Sequence, residues 1–220
     1  MGRSKLDKFK DNDQRINVIQ PGKPIFEHIK GNWHKDYFKN ENPITVEIGC
    51  GRGEYTIGLA RKFPNMNFIG ADIKGSRIWT GSGIAIEEQI KNVAFLRTPI
   101  LNLDHHFEKN EIIEIWITFP DPRPRKRDIK RRLTHPRYLE IYKSVIKEKG
   151  FIHLKTDNSL LFEYTLEVLQ DRQDIDGLVW TKDLYHSELN EDHHGIKTRY
   201  EDQFTKEGEI IKYLKFSFNK

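Results

Sequence analysis

One acidic side chain, Asp121, stands between two prolines near the start of a strongly basic segment, ITFPDPRPRKRDIKRRLT (Ile117–Thr134). Prolines cannot donate the hydrogen bonds of a β-ladder, so the strand predicted over Glu111–Thr118 must end there. In open α/β sheets, ligands bind beyond the carboxyl ends of the strands. A carboxylate held there beside many cations favours chemistry on a polyanion, although a short basic run is also typical of a solvated surface or a localisation signal.

A glycine-rich turn forms the second candidate site. The segment ITVEI (Ile44–Ile48) predicts a strand, the glycines at positions 49, 51 and 53 predict a tight turn, and EYTIGLARKF predicts the following helix. Glycines let a ligand approach the backbone closely, and a helix N-terminus offers free N–H groups. The G-x-G-x-x-G spacing of a nicotinamide site would need glycine at position 54, which is Glu54. The turn here is G-x-G-x-G, preceded by an acid, Glu47.

Asp72 lies near the end of the second predicted strand, MNFIGADI (Met66–Ile73). A carboxylate at the tip of this strand is where an α/β fold holds the hydroxyl groups of a ribose. The glycine turn, Glu47 and Asp72 follow one another as in the S-adenosylmethionine (SAM) site of Rossmann-like methyltransferases, which this part of the chain resembles. The alternative is an ordinary strand-to-helix turn with a strand-end acid.

The elements that must position these residues alternate along the chain. Helices are predicted over Ser76–Lys91, His135–Lys149 and SLLFEYTLEVLQ, and strands over NVAFLRT and Phe151–Asn158. The β-rich segment EIIKYLKFSF would add an antiparallel end to the sheet. We therefore predict an α/β fold of the Rossmann-like SAM-dependent methyltransferase type, with a mostly parallel sheet, an antiparallel C-terminal edge and helices on both faces.

Composition and charge narrow the class of partner. The 220 residues include 37 Lys and Arg and 33 Asp and Glu, a formal net charge of +4. Because this total is nearly balanced, the basic segment favours a local nucleic-acid or phosphate footprint over a generally adhesive surface. The single cysteine excludes an internal disulfide and fits a reducing compartment. Neither a membrane-spanning run nor a signal-peptide core is evident, so we expect a cytoplasmic protein that binds no membrane.

One boundary, between residues 24 and 25, is predicted to divide the chain into two regions. Residues 1–24 carry several basic and few large apolar side chains, which predicts a flexible basic N-terminal arm. Residues 25–220 then form a single methyltransferase domain of ordinary length.

No metal site is predicted. The pairs His105-His106 and His193-His194 are adjacent residues, whose side chains point apart on a helix or strand, and the sequence has no H-E-x-x-H or C-x-x-C spacing. Cys50 lies in the glycine turn without a paired base in the sequence, so we predict a structural role for it.

Four segments together resemble the bacterial tRNA (guanine-N7-)-methyltransferases. They are VEIGCGRGEYTIGLA, FPDPRPRKRDIKRRLT, KTDN, and Thr198–Glu201 with the following DQFTKEGEII, in that family's order and over roughly residues 44–212. The resemblance implies transfer of a methyl group from SAM to N7 of a guanosine in tRNA, at position 46 of the variable loop. We also expect a monomer or homodimer without an obligatory protein partner.

The resemblance assigns roles to residues at matching positions. Asp121 would lie between the cofactor and the target base and is the candidate catalytic residue. The expected cofactor site comprises Glu47, Gly49, Gly51, Gly53, Asp72, Thr98, Pro99, Ile100 and Asp121. The expected guanosine site comprises Arg125, Asp157, Thr198, Arg199, Tyr200 and Glu201. In the basic segment we expect contacts with the tRNA backbone from Lys126, Arg127, Lys130, Arg131 and Arg132.

Three positions depart from the family pattern. Arg123 replaces a tryptophan flanked by prolines, so stacking there is not expected. Pro99 replaces an acid after the third strand, so backbone groups of Thr98 and Ile100 would have to hold the adenine. Asp72 replaces a longer Glu, a change that the ribose contact should tolerate.

The chemistry of guanine agrees with this interpretation. N7 carries a lone pair and no proton, so methylation needs alignment of the reactants and no general base. Carboxylates are suitable acceptors for the N1–H and N2–H₂ groups of guanine, and cations suit the phosphates.

Two other functions are compatible with the sequence. The first is a Rossmann-like methyltransferase of another substrate, such as rRNA or a small molecule, although the basic segment argues against the small molecule. The second is an RNA-binding protein that keeps the fold without turnover, an alternative that Pro99 and Arg123 keep open.

Overall fold

The structure is a computed structural model that describes residues 3–219; residues 1–2 and 220, at the ends of the predicted arm and domain, lie outside the described residues. Within this range eight strands form one sheet. They are β1 (Val18–Ile19), β2 (Ile44–Ile48), β3 (Asn67–Asp72), β4 (Val93–Arg97), β5 (Ile112–Thr118), β6 (Ile146–Thr156), β7 (Ile175–Thr181) and β8 (Lys212–Phe218).

The strands follow the order β1-β4-β3-β2-β5-β6-β8-β7. Neighbours from β1 to β6 pair in parallel, whereas β8 pairs antiparallel with both β6 and β7. The predicted mostly parallel sheet with an antiparallel C-terminal end is confirmed, with β7 and not the last strand at the edge. The strand order reverses between β2 and β5, and such a switch point is where α/β sheets bind ligands.

The helices connect the strands, and within residues 3–219 none is long and apolar enough to cross a membrane. The α-helices are α1 (Lys5–Gln14), α2 (Pro24–His28), α3 (Glu54–Lys62), α4 (Gly75–Glu87), α5 (Pro136–Val145), α6 (Ser159–Gln170) and α7 (Arg199–Lys206). A π-helical segment spans Trp33–Phe38, and 3-10 segments span Ile100–His105, Lys126–Arg131 and Glu188–His193. The predicted helix over His135–Lys149 ends early because Ile146 already pairs with β5.

Apolar side chains that alternate along the strands fill a core on each face of the sheet. In β3, Ile69 packs in the core that includes α5 and α6, while its neighbour Phe68 packs in the core that includes α3 and α4. Each fully buried side chain of this size contributes roughly 1.5–3 kcal/mol. The two cores thus hold the sheet from both sides and leave the carboxyl ends of β2, β3, β5 and β6 free to form a site.

The N-terminal region differs from the flexible arm predicted over residues 1–24. There, α1 packs on α4, and β1 extends the sheet with both of its side chains buried. The side-chain amide of Asn12 donates to the carbonyl of Gly75 at 2.8 Å, and the indole of Trp79 donates to Asp11 at 2.7 Å. The low apolar content of this region predicted flexibility. That prediction was wrong because the polar partners of α1 lie more than 60 residues away in sequence, where a local pattern cannot show them.

Two isoleucines three positions apart test this packing. Ile19→Ala should lower the free energy of unfolding by roughly 2–5 kcal/mol, because Ile19 is fully buried in β1. Ile16→Ala is the matched control and should change it by less than about 0.5 kcal/mol, because Ile16 is 84% exposed. Urea unfolding followed by circular dichroism measures both. If both substitutions changed the free energy of unfolding by the same small amount, the region would be the flexible arm that the sequence predicted.

Candidate functional site

Glu47, in β2, is the innermost acid of the site and is 3% exposed. Its Oε2 accepts hydrogen bonds from the backbone N–H of Thr56, at 2.9 Å, and from the hydroxyl of the same residue. Its Oε1 accepts one from the hydroxyl of Thr118 at 2.6 Å. Because Thr56 lies in the first turn of α3 and Thr118 ends β5, this one carboxylate joins three elements at the switch point.

Burial raises the pKa of the Glu47 carboxyl to about 7, from 4.5 in water. The hydrogen bonds from Thr118 and Thr56 oppose this shift because they favour the ionised form, and the neighbouring charge of Asp72 adds to it. Desolvation is the largest effect, so the Glu47 carboxyl holds its proton up to near-neutral pH.

The glycine turn follows directly. Gly49, Gly51 and Gly53 have φ of 73°, 55° and 73°, the left-handed region in which other side chains are strained. The N–H of Gly51 donates to Asp72 Oδ2 at 2.9 Å. A Cβ atom at Gly53 would lie 2.4 Å from Cε1 of Phe95. The third glycine therefore allows α3 to pack on β4, whereas the first two shape the turn.

Asp72 ends β3 and is 9% exposed. Two backbone N–H groups orient its carboxylate, since Gly51 donates to Oδ2 and Lys74 donates to Oδ1 at 2.8 Å. Each carboxylate oxygen has a second lone pair, so Asp72 can still accept hydrogen bonds from hydroxyl groups.

A cavity of about 680 Å³ opens beyond the carboxyl ends of these strands, and a recess of about 70 Å³ shares Gly49 and Tyr200 with it. The structure thus brings many of the predicted site residues together. Those that line the large cavity are Gly49, Asp72, Pro99, Ile100, Asp121, Arg131, Asp157 and Tyr200. Those that line the recess are Glu47, Gly49, Gly51, Thr198, Arg199 and Tyr200.

The proline segment after β5 holds two residues in a strained conformation. Phe119 and Arg123 have φ of 46° and 48°, which costs a residue other than glycine on the order of 1–3 kcal/mol. The N–H of Phe119 donates to the carbonyl of Lys155 at 2.9 Å. Arg123 contacts Asp121 through its backbone N–H and through its Nε, each at 3.2 Å. Arg123, which departs from the family pattern, therefore holds the candidate catalytic acid.

Most of the basic segment is exposed and lies outside the cavities. Arg125, Lys126, Arg127 and Lys130 are exposed and line neither the large cavity nor the recess. Arg131 lines the large cavity and pairs with Asp128 at 3.1 Å, with its own side chain 65% exposed. A large anion outside the cavity can therefore reach Arg125, Lys126, Arg127 and Lys130 from solvent.

Arg132 has a different role from the tRNA contact that we predicted. It is 4% exposed, and its guanidinium donates to the carbonyls of Pro122, at 3.1 Å, and Arg123, at 3.2 Å. The same group lies 4.4 Å from the centre of the Tyr164 ring. Arg132 therefore braces the proline segment from inside, and its position among exposed cations gave no sign of this.

The C-terminal helix α7 begins beside the glycine turn. The hydroxyl of Thr198 accepts a hydrogen bond from the N–H of Glu201 at 3.1 Å, and the N–H of Arg199 donates to Glu54 at 2.7 Å. Tyr200 is 45% exposed and lines both the cavity and the recess. Glu201 is fully buried and lines neither. Three of these four predicted residues reach the site, and Glu201 does not.

Thr98 also lies behind the cavity wall. It is buried, its hydroxyl lies 3.1 Å from Nε2 of His106, and its N–H donates to the carbonyl of Asp72 at 3.2 Å. Burial lowers the pKa of His106 to about 4, so the imidazole is neutral at physiological pH. Thr98 therefore supports β3 and leaves the cavity lining to Pro99 and Ile100.

Asp157 lines the large cavity together with a group of aromatic rings that includes Phe119, Tyr200 and Phe204. The ring centres of Phe119 and Phe204 lie 6.3 Å apart. Tyr200 stacks on Phe204, with 6.4 Å between the two ring centres. Burial raises the pKa of the Asp157 carboxyl. An acid beside aromatic planes suits a planar base that carries N–H donors.

Three further residues that were not predicted from the sequence belong to the site. Thr118 holds Glu47, Arg77 lines both the cavity and the recess, and Lys155 contacts Glu201. In β6, polar side chains alternate with apolar ones, so the period of two could have placed Lys155 on the polar face of the strand. Thr118 and Arg77 carried no such signal.

Comparison with known proteins decides the family. A family model described as "Putative methyltransferase" matches residues 41–214. The tRNA (guanine-N(7)-)-methyltransferase of Cytophaga hutchinsonii is 49% identical over 219 residues, which cover 99% of each chain. The chain belongs to the tRNA (guanine-N(7)-)-methyltransferase family. A second member, from Bacteroides fragilis, is 46% identical over 98% of this chain and 86% of its own. The predicted family and its SAM dependence are confirmed.

Solved structures of other methyltransferases share the fold of this family member. An antibiotic-related methyltransferase aligns with a TM-score of 0.60 at 17% identity, over 82% of this chain and 89% of its own. A 16S rRNA methyltransferase aligns with a TM-score of 0.62 at 13% identity, over 89% and 93% of the two chains. The predicted Rossmann-like methyltransferase fold is therefore confirmed.

Arg132 and its neighbour Arg131 allow a matched test of the brace. Arg132→Ala should lower the free energy of unfolding by about 1–3 kcal/mol, because it leaves the partly buried carbonyl groups of Pro122 and Arg123 without their donor. The free energy of unfolding of Arg131→Ala should stay within about 0.5 kcal/mol of the wild-type value. Urea denaturation gives both values. A stability loss no larger for Arg132→Ala than for Arg131→Ala would contradict the brace.

The raised pKa of Glu47 predicts a dependence of stability on pH. Between pH 4.5 and about 7 the folded protein keeps a proton on Glu47 that the unfolded chain has released. The contribution of Glu47 to the free energy of unfolding is therefore fully present below pH 4.5. It is lost as the pH rises to about 7, and the total loss is roughly 3 kcal/mol. Glu47→Gln should flatten the decline, as measured by urea unfolding across this range. The exposed Glu148→Gln is the control, and a Glu47→Gln profile parallel to wild type would contradict the shift.

Proposed function

We propose that this chain transfers a methyl group from SAM to N7 of a guanosine in tRNA. One observation carries the proposal: Asp72, Asp121 and Asp157, which lie at or just beyond the carboxyl ends of three different strands, line one cavity beside an exposed basic segment. The relatives named above are tRNA (guanine-N(7)-)-methyltransferases and match this chain over nearly its whole length, which supports the same reaction.

The residues of the cavity fit SAM. The positive φ values of Gly49 and Gly51 leave the turn without side chains, so a ligand can approach its backbone. Asp72 offers lone pairs to the ribose hydroxyl groups. Pro99 and Ile100 offer apolar surface to the adenine, whose polar edge must use backbone groups because Pro99 supplies no acceptor side chain. Glu47 lies deeper and sets the turn.

SAM, when bound, supplies a methyl group on a positively charged sulfur. Guanine N7 carries no proton, so the chain provides no general base and acts by holding the base in line, which can be worth several orders of magnitude in rate. Methylation leaves positive charge on the purine. Asp121, held by Arg123, lies on the same cavity and favours that charge electrostatically.

Asp157 is the group that we assign to recognition of the base. Its carboxylate can accept hydrogen bonds from the N1–H and N2–H₂ groups of guanine, which adenine does not present in this arrangement. The rings of Tyr200, Phe204 and Phe119 give a surface on which an unstacked base can lie. Selection of guanine thus combines one acid with aromatic contact.

The exposed cations bind the tRNA backbone in this proposal. Four of them lie outside the cavity and one at its wall, and each phosphate contact releases counterions, which makes binding dependent on salt. We assign Arg125 to the target nucleotide and Lys126, Arg127, Lys130 and Arg131 to phosphates. Position 46 of the variable loop is the proposed target, and the cytoplasm, where a protein with one free cysteine stays reduced, is the proposed location.

Methyl transfer to bulk tRNA tests the function directly. Incubation with methyl-labelled SAM and tRNA should give labelled 7-methylguanosine on nucleoside analysis, and fragment mapping should place it at position 46. Asp72→Ala should raise the Kd for SAM about tenfold in calorimetry, because it removes charged hydrogen-bond acceptors. The exposed Asp171→Ala is the control. SAM binding without any label in tRNA would favour the RNA-binding alternative, and label in another nucleoside or RNA would favour a different methyltransferase.

A further inference from the structure

A fully buried ion pair lies between the predicted site residues, formed by Lys155 and Glu201. Both side chains have no exposed surface. Nζ of Lys155 lies 2.7 Å from Oε1 of Glu201 and 2.9 Å from its Oε2. Removing two charges from water is costly unless each is fully compensated, so a pair of this kind needs a reason in the surrounding structure.

The carboxylate of Glu201 has no free position for a ligand. Besides Lys155, its Oε1 accepts a hydrogen bond from the hydroxyl of Tyr185 at 2.5 Å, and its Oε2 accepts one from the N–H of Thr198 at 3.2 Å. An ionised carboxylate offers about four acceptor positions, and four donor contacts occupy them. Together with its burial, this removes Glu201 from direct contact with a base in the cavity.

Lys155 connects three segments of the site. Its carbonyl accepts the hydrogen bond from the N–H of Phe119, which holds the strained start of the proline segment. Two residues further along, the chain reaches Asp157 at the cavity. Nζ of Lys155 also donates to the carbonyl of Ile196, at 3.2 Å, and Ile196 lies just before the start of α7. The ion pair to Glu201 then fixes the first turn of that helix, which carries Tyr200 into the cavity and the recess.

We propose that the Lys155–Glu201 pair is a positioning pair, which sets the first turn of α7 and the proline segment against each other so that Thr198, Tyr200 and Asp157 meet the reactants in register. The inference rests on the proposed function and deepens it. It also replaces the direct contact between Glu201 and guanosine that the sequence predicted. A buried charge pair is directional, so it fixes one arrangement where apolar packing would tolerate several.

Removal of one partner differs from removal of both, and this difference provides the test. Lys155→Met and Glu201→Gln each leave a buried charge without its partner. Each should lower kcat about 100-fold, since a misplacement near 1 Å has that effect. The KM for tRNA should stay within about twofold, because the exposed cations that bind phosphates in the proposed function are not held by this pair.

The double variant Lys155→Met/Glu201→Gln keeps the shapes and removes both charges. Its glutamine can still accept from Thr198 and contact Tyr185. Because no unpaired charge remains, we expect its kcat to return to within about tenfold of wild type. The Kd for SAM, measured without tRNA, should rise in each single variant and recover in the double variant, because α7 lines the recess beside the glycine turn.

An exposed pair of the same residue types provides the matched control. Nζ of Lys182 lies 2.6 Å from Oε1 of Glu163, with the two side chains 60% and 49% exposed. Lys182→Met, Glu163→Gln and their combination should each change kcat less than about twofold, because exposed pairs contribute little. Thermal unfolding of every variant, with all assays run below the lowest midpoint, ensures that folded protein is compared.

Two results would overturn the inference. The first is a double variant no more active than Glu201→Gln, because Glu201 would then make an essential contact of its own. The second is a set of single variants with wild-type kcat and wild-type affinity for SAM. Failure of the proposed function is distinguishable from either, because it would appear as wild-type protein that forms no 7-methylguanosine, while the SAM affinities of the four proteins still report whether the pair is coupled.

Discussion

The buried carboxylate of Glu47 is the interaction on which the rest of the site depends. It lies where the strand order reverses, and it bonds to the first turn of α3 and to the end of β5. Those elements carry the glycine turn and the proline segment, so one side chain sets the distance between two walls of the recess. Its raised pKa records that three hydrogen-bond donors offset only part of the cost of burial.

The loop after β5 shows how the same site holds a conformation that its backbone does not favour. Phe119 and Arg123 have positive φ, and such strain persists only where the surroundings leave no alternative. The carbonyl of Lys155 holds the first of them, while Asp121 and Arg132 hold the second. The prolines of the segment narrow the remaining choices. The backbone that leads into the exposed cations is therefore held in one conformation, which lowers the conformational entropy lost when the segment binds an RNA.

Elements with a local signal could be predicted, and contacts between distant segments could not. The helix α6 and the strand β2 have the predicted bounds, because the hydrophobic periodicity and the turn residues that define them lie within or next to each segment. Arg132 and Glu201 have the same residue types as exposed neighbours, and their burial depends on Tyr164 and Lys155, which lie far away in sequence. β1 was missed for the same reason, since two residues become a strand only when β4 lies beside them.

The charges of this chain act over two ranges, which explains how a small net charge suffices. Asp72 is nearly enclosed, so it acts at hydrogen-bond distance on neutral donors, with little screening by salt. The exposed cations act through solvent, where the screening length is about 8–10 Å at physiological ionic strength. Salt should thus weaken capture of a polyanion far more than recognition within the cavity. Because the cations are gathered on one segment beside that cavity, attraction is directed to its entrance, and +4 overall is enough.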